Sequence, residues 1–376
     1  MRKTFLYQVN ITRDCNLRCT HCYIHSDVKK ASGKMAPQNF RKIFTDIGEH
    51  MAEIGYDHAE IHVIGGEPTI LGLPFFEENI PPARAAIEEA ASRMDKPFSF
   101  EIIMVSNLLS RDILPIARFF DRVNTSYEPE TRFPKPKLEQ MWRDNLALLK
   151  DNGLDVGVTT AMTKYVVDRG AASLLDFHYD QGIKQIHFGF FIPSGDGLVN
   201  RDEMFPEFVE TSNFLIEAAH WYFERRDKDQ DLFVNPVESM LSGITSGEPL
   251  DDIVCPIIAG SMDIDWNGQT ATCLEAGGGL NPEWLGNVVQ NSVAEVAKSP
   301  GFRAHVLEAA KPKKECRTCD EYRVCRSGCG VIFKYWNPEE DEDCPGFKKF
   351  IKFMRHSHDE NGIRPRYEEY RGKVAF

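Results

Sequence analysis

The sequence predicts an α/β protein: a partial (β/α)6 TIM-type barrel over residues 1–235, followed by a loop-rich, metal-stapled domain over residues 236–376. Three observations carry this. Six apolar, strand-like segments alternate with helix-like ones through the first half of the chain. From about Pro249 onward Gly, Pro and Cys dominate and regular periodicity fades. The ten cysteines fall into two groups, three before residue 23 and seven between 255 and 344, with none in between.

Phe5–Thr12 reads as a short strand that ends at the first cysteine loop. Pro37–Glu53 has helical spacing (Phe40, Ile43, Phe44, Ile47, Met51), and Ala59–Ile64 is strand-like until Gly65-Gly66 stops it. Pro81–Met94 is Ala- and Glu-rich and helical, and Phe98–Val105 is the third strand. Helix candidates at Ile113–Phe120, Leu138–Lys150, Ala171–Gln181 and Phe205–Phe223 alternate with strands at Arg122–Ser126, Leu154–Met162 and Gln185–Ile192. Strands each followed by a helix imply parallel pairing through right-handed crossovers. A barrel or part-barrel is the natural closure, with reactive groups at the C-terminal strand ends. The second half is too loop-rich to bury a good core alone, so metal staples are expected. A clear helical signal returns at Phe347–His356.

The chain has 376 residues, 42% hydrophobic and 27% charged, which fits one large or two moderate domains. A formal net charge of −13 argues against nonspecific nucleic-acid binding, and no basic stripe with interleaved aromatics appears. No apolar run approaches a membrane span, and the apolar stretch within Met1–Asn10 is too short for a secretory signal. A cytoplasmic location without membrane or nucleic-acid partners is therefore expected. There, cysteines serve as metal ligands or free thiols rather than disulfides.

Cys15-x3-Cys19-x2-Cys22 places three thiols around one centre, whereas tetrahedral iron or zinc takes four ligands. No fourth Cys is near, and His21 and His25 fall outside the usual zinc pairing. An iron–sulfur cluster with one open iron fits that count. In Gly65-Gly66-Glu67-Pro68 the glycines let backbone approach a ligand, and a carboxylate beside exposed carbonyls suits an ammonium group. Ser106, Asn107 and Ser126 are polar residues at strand ends, where simple capping is the rival reading.

Cys-x3-Cys-x2-Cys after a first strand, followed by Gly-Gly-Glu-Pro at the end of the second, resembles the radical S-adenosylmethionine enzymes. The resemblance implies a [4Fe–4S] cluster on Cys15, Cys19 and Cys22 whose fourth iron is chelated by S-adenosylmethionine. It places Gly65, Gly66, Glu67 and Pro68 at the methionine amine, Ser106, Asn107 and Ser126 toward the cofactor, and His21 and Tyr23 near the adenine. Thr160 and Met162 on the fifth strand are further candidates for the adenine pocket.

The downstream spacing, Cys255-x12-Gly268-x4-Cys273, then Cys316-x2-Cys319-x5-Cys325-x3-Cys329, then Cys344, resembles the SPASM domain that follows the barrel in many of these enzymes. Leu285-Gly286-Asn287-Val288 looks like that domain too, while a zinc ribbon is the rival for Cys316 to Cys329. The resemblance implies two auxiliary [4Fe–4S] clusters, one on Cys316, Cys319, Cys325 and Cys344, the other on Cys255, Cys273 and Cys329. All ten cysteines are then used, and the last cluster lacks a thiolate for its fourth iron.

The implied chemistry begins with a 5′-deoxyadenosyl radical that abstracts one hydrogen, after which an electron passes to an auxiliary cluster. Glu275, two residues after Cys273, is the candidate proton acceptor. In sulfatase-maturing relatives an Asp directly follows the corresponding cysteine, where this chain has Leu274, which argues against formylglycine formation. The leading expectation is oxidation or cross-linking of a residue in a peptide or protein substrate. Because a barrel strand begins near Phe5, a separate recognition protein or direct reading of the target is expected. A flavodoxin- or ferredoxin-type donor would supply electrons. The alternative is a dehydrogenase or rearrangement enzyme for a small molecule such as a sugar or aminocyclitol.

Overall fold

The computed structural model describes residues 3–246 and 255–366. Its strands are β1 (Thr4–Thr12), β2 (His58–Gly65), β3 (Ser99–Val105), β4 (Arg122–Ser126), β5 (Val156–Met162), β6 (Gln185–Phe190), β7 (Phe233–Asn235), β8 (Ser261–Ile264), β9 (Gln269–Ala271) and β10 (Gly286–Asn287). They form one sheet in the order β10-β9-β8-β1-β2-β3-β4-β5-β6-β7. Neighbours from β1 to β7 pair in parallel through crossovers that carry helices. The sheet curves as a part-barrel and has two ends. All six expected strands are present; β7, at three residues, is too short for alternation to reveal.

The second half adds to this sheet. β8 pairs in parallel with β1, Leu6 opposite Ser261 through Val9 opposite Ile264, and β9 and β10 continue antiparallel. They cover the backbone groups that β1 would otherwise expose as a sheet edge. The joint is fastened by buried polar groups. Asn10 Nδ2 donates to Asp263 Oδ1 at 2.6 Å, and Arg13 reaches Asp265 Oδ1 with Nε at 2.7 Å and Asp263 Oδ2 with Nη2 at 3.3 Å. The Arg13 guanidinium also lies 5.9 Å from the centre of the Trp284 ring.

Side chains alternate across the strands with period two. Tyr7, Val9, Ile11, Ile61, Val63, Ile102, Met104 and Val158 bury against the surrounding helices. The opposite faces carry Gln8, Asn10, Glu60, His62, Arg122, Asn124 and His187, so the inner face of the barrel is polar. Helix Leu73–Ser92 begins eight residues before the expected Pro81 and holds Pro81 and Pro82 inside it. Burial of Phe76, Asn79 and Ile80 overrides the proline signal, and Asn79 Nδ2 donates to Phe75 O at 2.7 Å in the turn before the prolines. Helix Phe208–Arg225 starts at a capping box between Glu207 and Glu210 rather than at Phe205. Helix Lys348–Asp359 packs against it and buries Phe350, Ile351 and Met354, and Phe347 stacks on Phe190 of β6 at 4.3 Å. No described helix is long and apolar enough to cross a membrane.

His178 makes one testable demand on the core. It is fully buried beside Tyr127 and Phe177, neither ring nitrogen has a hydrogen-bond partner among the described residues, and burial pushes its pKa down to about 3. A base whose folded pKa lies below its ordinary value of 6.5 stabilises the fold above that value and withdraws this contribution as pH falls toward 3. His178→Phe is therefore expected to raise the melting temperature and to flatten its decline between pH 6.5 and 4. Thermal melts of the metal-free protein measure both.

Candidate active site

The loop that leaves β1 is tied to the end of β2 by backbone. Gly66 N donates to Thr12 O at 2.9 Å and Glu67 N to Asp14 O at 2.9 Å. A Cβ on Gly66 would stand 2.2 Å from Asp14 O, so only glycine permits this approach. Cys15, Cys19, Cys22, Gly65 and Gly66 thereby edge one cavity of about 340 Å³ at the C-terminal strand ends, as a barrel site requires. Ser106, Asn107, Ser126, His21 and Tyr23 line the same cavity.

Glu67 sits otherwise than its chemistry suggested. Its carboxylate accepts from Thr69 N at 3.1 Å, Thr69 Oγ1 at 2.7 Å and Ser106 Oγ at 2.8 Å, and its second oxygen from Asn107 N at 2.7 Å. It is a buried strut between the ends of β2 and β3, and neither it nor Pro68 borders the cavity. The Gly65 and Gly66 backbone is what this turn presents. Asn107 Nδ2 extends the strut to the cysteine loop through Asn16 Oδ1 at 2.7 Å.

Thr160 and Met162 are also turned away. Thr159 and Ala161 line the cavity, while Thr160 Oγ1 donates to Tyr127 O at 3.1 Å and Met162 packs in the core. Thr160 and Met162 stand one residue out of phase with the cavity lining, and on a strand one residue swaps faces. Apolar Val156 and Val158 already marked the even-numbered positions as the helix-facing ones.

Around the thiols stand charged residues that spacing could not reveal. Burial pushes the Cys15 thiol up to about 12 and Cys19 to about 11, the latter against the pull of the Arg132 guanidinium. Arg132 Nε is held by Glu128 Oε2 at 2.7 Å, and Glu128, kept down at about 2 against its burial by Arg132 and His21, also accepts from Ala161 N at 2.7 Å. His21 Nδ1 meets Thr131 Oγ1 at 2.6 Å. Lys29, buried and 3.0 Å from Asp196 Oδ2, borders the same cavity. Two cations near three thiols favour the thiolate forms that metal binding needs. Tyr23 donates its hydroxyl to Asn10 Oδ1 at 3.2 Å, which links the cysteine loop to the Asp263 network.

The other seven cysteines fall around two further cavities. Cys316, Cys319, Cys325 and Cys344 surround one small cavity, where a Cβ on Gly346 would come within 2.8 Å of Cys325 Sγ. Cys255, Cys273 and Cys329 border another, of about 340 Å³, together with Gln8, Asn124 and His187 from inside the barrel. Each cavity thus holds one set of thiols, of three, four and three. Among the described residues no three His, Cys, Asp or Glu side chains converge on a single ion. In a cubane each thiolate reaches a different iron, so sets spread around a cavity suit iron–sulfur clusters.

The two larger cavities share a wall. Asn124, Thr159, Gly189, Phe190 and Leu274 border both, and His62 and Glu275 are the two titratable side chains among the shared residues. Glu275 Oε2 lies 2.8 Å from Cys273 Sγ. His62 Nε2 meets the buried Glu60 carboxylate at 2.5 Å. His62 escaped sequence reading because a lone His three residues before Gly65 carries no motif.

The sheet is open, a three-thiol cavity lies at its C-terminal strand ends, and the cysteine-rich second half extends the sheet beyond β1. Residues 255–320 match the SPASM family, described as an iron–sulfur cluster-binding domain. The chain is 20% identical over 371 residues to a cysteine-type anaerobic sulfatase-maturating enzyme of Clostridium perfringens, covering 90% of this chain and 93% of that protein. Its fold is similar to that of anSMEcpe with bound AdoMet, with a TM-score of 0.76 at 16% identity, covering 97% of each chain. It is also similar to Streptococcus suis SuiB bound to precursor peptide SuiA, with a TM-score of 0.59 at 12% identity, covering 91% of this chain and 75% of that one.

Proposed function

We propose that this chain is a radical S-adenosylmethionine oxidoreductase that oxidises or cross-links a residue of a peptide or protein. The observation that carries the reading is the shared wall: one cavity edged by Cys15, Cys19 and Cys22 abuts another edged by Cys255, Cys273 and Cys329. Cys15, Cys19 and Cys22 would hold one [4Fe–4S] cluster beside S-adenosylmethionine and the other seven cysteines two more, and these cofactors would supply hydrogen-atom abstraction from the substrate and an acceptor for the electron that follows.

The chain's own residues do the rest. Gly65 and Gly66 offer backbone to the methionine end, and Glu67 and Pro68 hold that turn from behind. Ser106, Asn107 and Ser126 give polar contacts at the strand ends, and His21 and Tyr23 flank the adenine. Thr159 and Ala161 take the place on β5 expected of Thr160 and Met162. A substrate carbon in the shared space loses its hydrogen atom on one side and its electron on the other, and the accompanying proton goes to the His62 and Glu275 pair. Peptide substrates are supported by the relatives, since anSMEcpe has been seen with bound Cp18Cys peptide and SuiB with precursor peptide SuiA. The proposal extends to a division at residues 235 and 236, a cytoplasmic setting, a flavodoxin- or ferredoxin-type donor and a separate recognition protein for some targets.

The test is a pooled library of synthetic peptides, each centred on Cys, Ser, Lys, Tyr or Trp, incubated anaerobically with the reconstituted, reduced protein. At least one peptide is expected to raise 5′-deoxyadenosine formation above the uncoupled level and to lose two hydrogens by mass spectrometry. Stimulation by a sugar or aminocyclitol and by no peptide would sink the peptide reading in favour of a small-molecule dehydrogenase.

A further inference from the structure

The four-thiol cavity of Cys316, Cys319, Cys325 and Cys344 shares no lining residue with the two larger cavities. A cluster held there has a thiolate on every iron, so it meets no substrate and is left with passing electrons. It stands toward solvent, since Cys316 and Cys319 are half-buried and Arg317, Thr318 and Asp320 beside them are exposed. Cations ring it. The Lys313 backbone N–H donates to Ser327 Oγ at 3.4 Å and its Nζ lies 6.0 Å from the centre of the Phe333 ring, and Ser327 and Phe333 both line the cavity. The Arg326 guanidinium lies 5.4 Å from the centre of the ring of Tyr322, another lining residue, and Lys348 lines the cavity itself. Lys314, Arg317 and Arg323 are exposed in, or next to, the short helices that carry Cys316 and Cys325. Among the described residues none of these cations forms an ion pair. Of the acids nearby, Glu315 and Asp320 are exposed, Glu321 accepts from Arg355 Nη2 at 2.6 Å, and the run at residues 339–342 lies in the loop that enters Cys344. A chain of formal net charge −13 thus turns a basic face to solvent beside these thiols.

We propose that this face docks an acidic one-electron carrier protein, which draws off the electron that the substrate releases. The proposal rests on the three-cluster reading above and adds a partner to it. The cluster of Cys316, Cys319, Cys325 and Cys344 is oxidised by one electron and the carrier is reduced by one, with no bond made or broken in the protein. Cys325 leads through Arg326-Ser327-Gly328 to Cys329 of the inner set, so one turn of chain joins the docking face to the cavity behind the shared wall. Contacts between electron-transfer partners are small and transient, and opposite charge supplies their rate and register. A carrier drawn by the protein's net charge would be basic, whereas the cations around this cavity call for an acidic one.

The test is calorimetric titration of the anaerobically reconstituted, oxidised holoprotein with flavodoxin, an acidic flavin carrier, and with cytochrome c, a basic one. Flavodoxin is expected to bind more tightly than cytochrome c at low ionic strength, and to weaken at least about tenfold as salt rises to about 0.2 M. Lys314→Glu, Arg317→Glu and Arg323→Glu together should weaken flavodoxin at least about tenfold and strengthen cytochrome c, while the protein keeps about twelve irons. In stopped-flow mixing, reduced holoprotein freed of excess dithionite should reduce flavodoxin, and the triple variant should do so at least about tenfold more slowly. Should the variant lose iron, the parent's own preference and salt dependence decide the matter. Flavodoxin affinity and rate unchanged in an iron-replete triple variant, or tighter binding of cytochrome c than of flavodoxin by the parent, overturns the docking face while the clusters stand. A parent holding about eight irons, with the four-thiol set empty, overturns the three-cluster reading, and the docking face falls with it.

Discussion

Replacing Cys15, Cys19 and Cys22 together with Ala is expected to reduce S-adenosylmethionine cleavage to background while about eight of about twelve irons are retained. None of the other seven cysteines borders the cavity that the three thiols edge, so their loss leaves the auxiliary sets intact. The fall should be complete rather than graded. With three protein thiolates and no spare Cys in the loop, no other side chain of the loop completes the set. Iron and acid-labile sulfide analysis, together with chromatography of 5′-deoxyadenosine, reads both halves of the expectation. Retained cleavage, or loss of all iron, would show that the sets are not independent.

The second large effect lies at the joint between the halves. Arg13 is 1% exposed and serves two carboxylates, Asp265 at 2.7 Å and Asp263 at 3.3 Å. Burial pushes Asp263 up to about 7 even with Arg13 beside it. Arg13→Ala leaves both acids buried without their cation, which costs about 3–5 kcal/mol. The loss should appear in denaturant unfolding of the metal-free protein. It should shrink when Asp263→Asn is added, because the two residues share one interaction. Additive losses would place the cost of Arg13→Ala elsewhere, in its contact with Trp284. The pH profile carries a sign as well. An acid whose folded pKa is raised stabilises most below its ordinary value and loses that contribution as pH rises through about 7, and Asp263→Asn removes this slope.

Much of this was legible from the chain, for physical reasons. Strands β1 to β6 declared themselves because each buries one face against helices and alternates accordingly, and the cysteine sets because thiols at fixed spacing have few other uses in such numbers. What the chain did not disclose turns on where side chains point once folded. Thr160 and Met162 were one residue out of phase with the cavity face. Glu67 spends its lone pairs on Thr69, Ser106 and Asn107, two of them about forty positions away in sequence. Arg132, Glu128 and Lys29 come to the first thiols from other segments and carry no spacing signal. Strands β8 to β10 are two to four residues each, too short for alternation to count. They exist as strands because β1 offers them an edge. His62 stands at the shared wall only because β2 turns it inward above Glu60.

The central claim is that the cavity of Cys15, Cys19 and Cys22 activates S-adenosylmethionine. It is tested most directly by chromatography of the anaerobically reconstituted wild-type protein after reduction with dithionite in the presence of S-adenosylmethionine. The structure predicts 5′-deoxyadenosine and methionine in equal amounts from protein carrying about twelve irons. Fully loaded, reduced protein that forms no 5′-deoxyadenosine would contradict it.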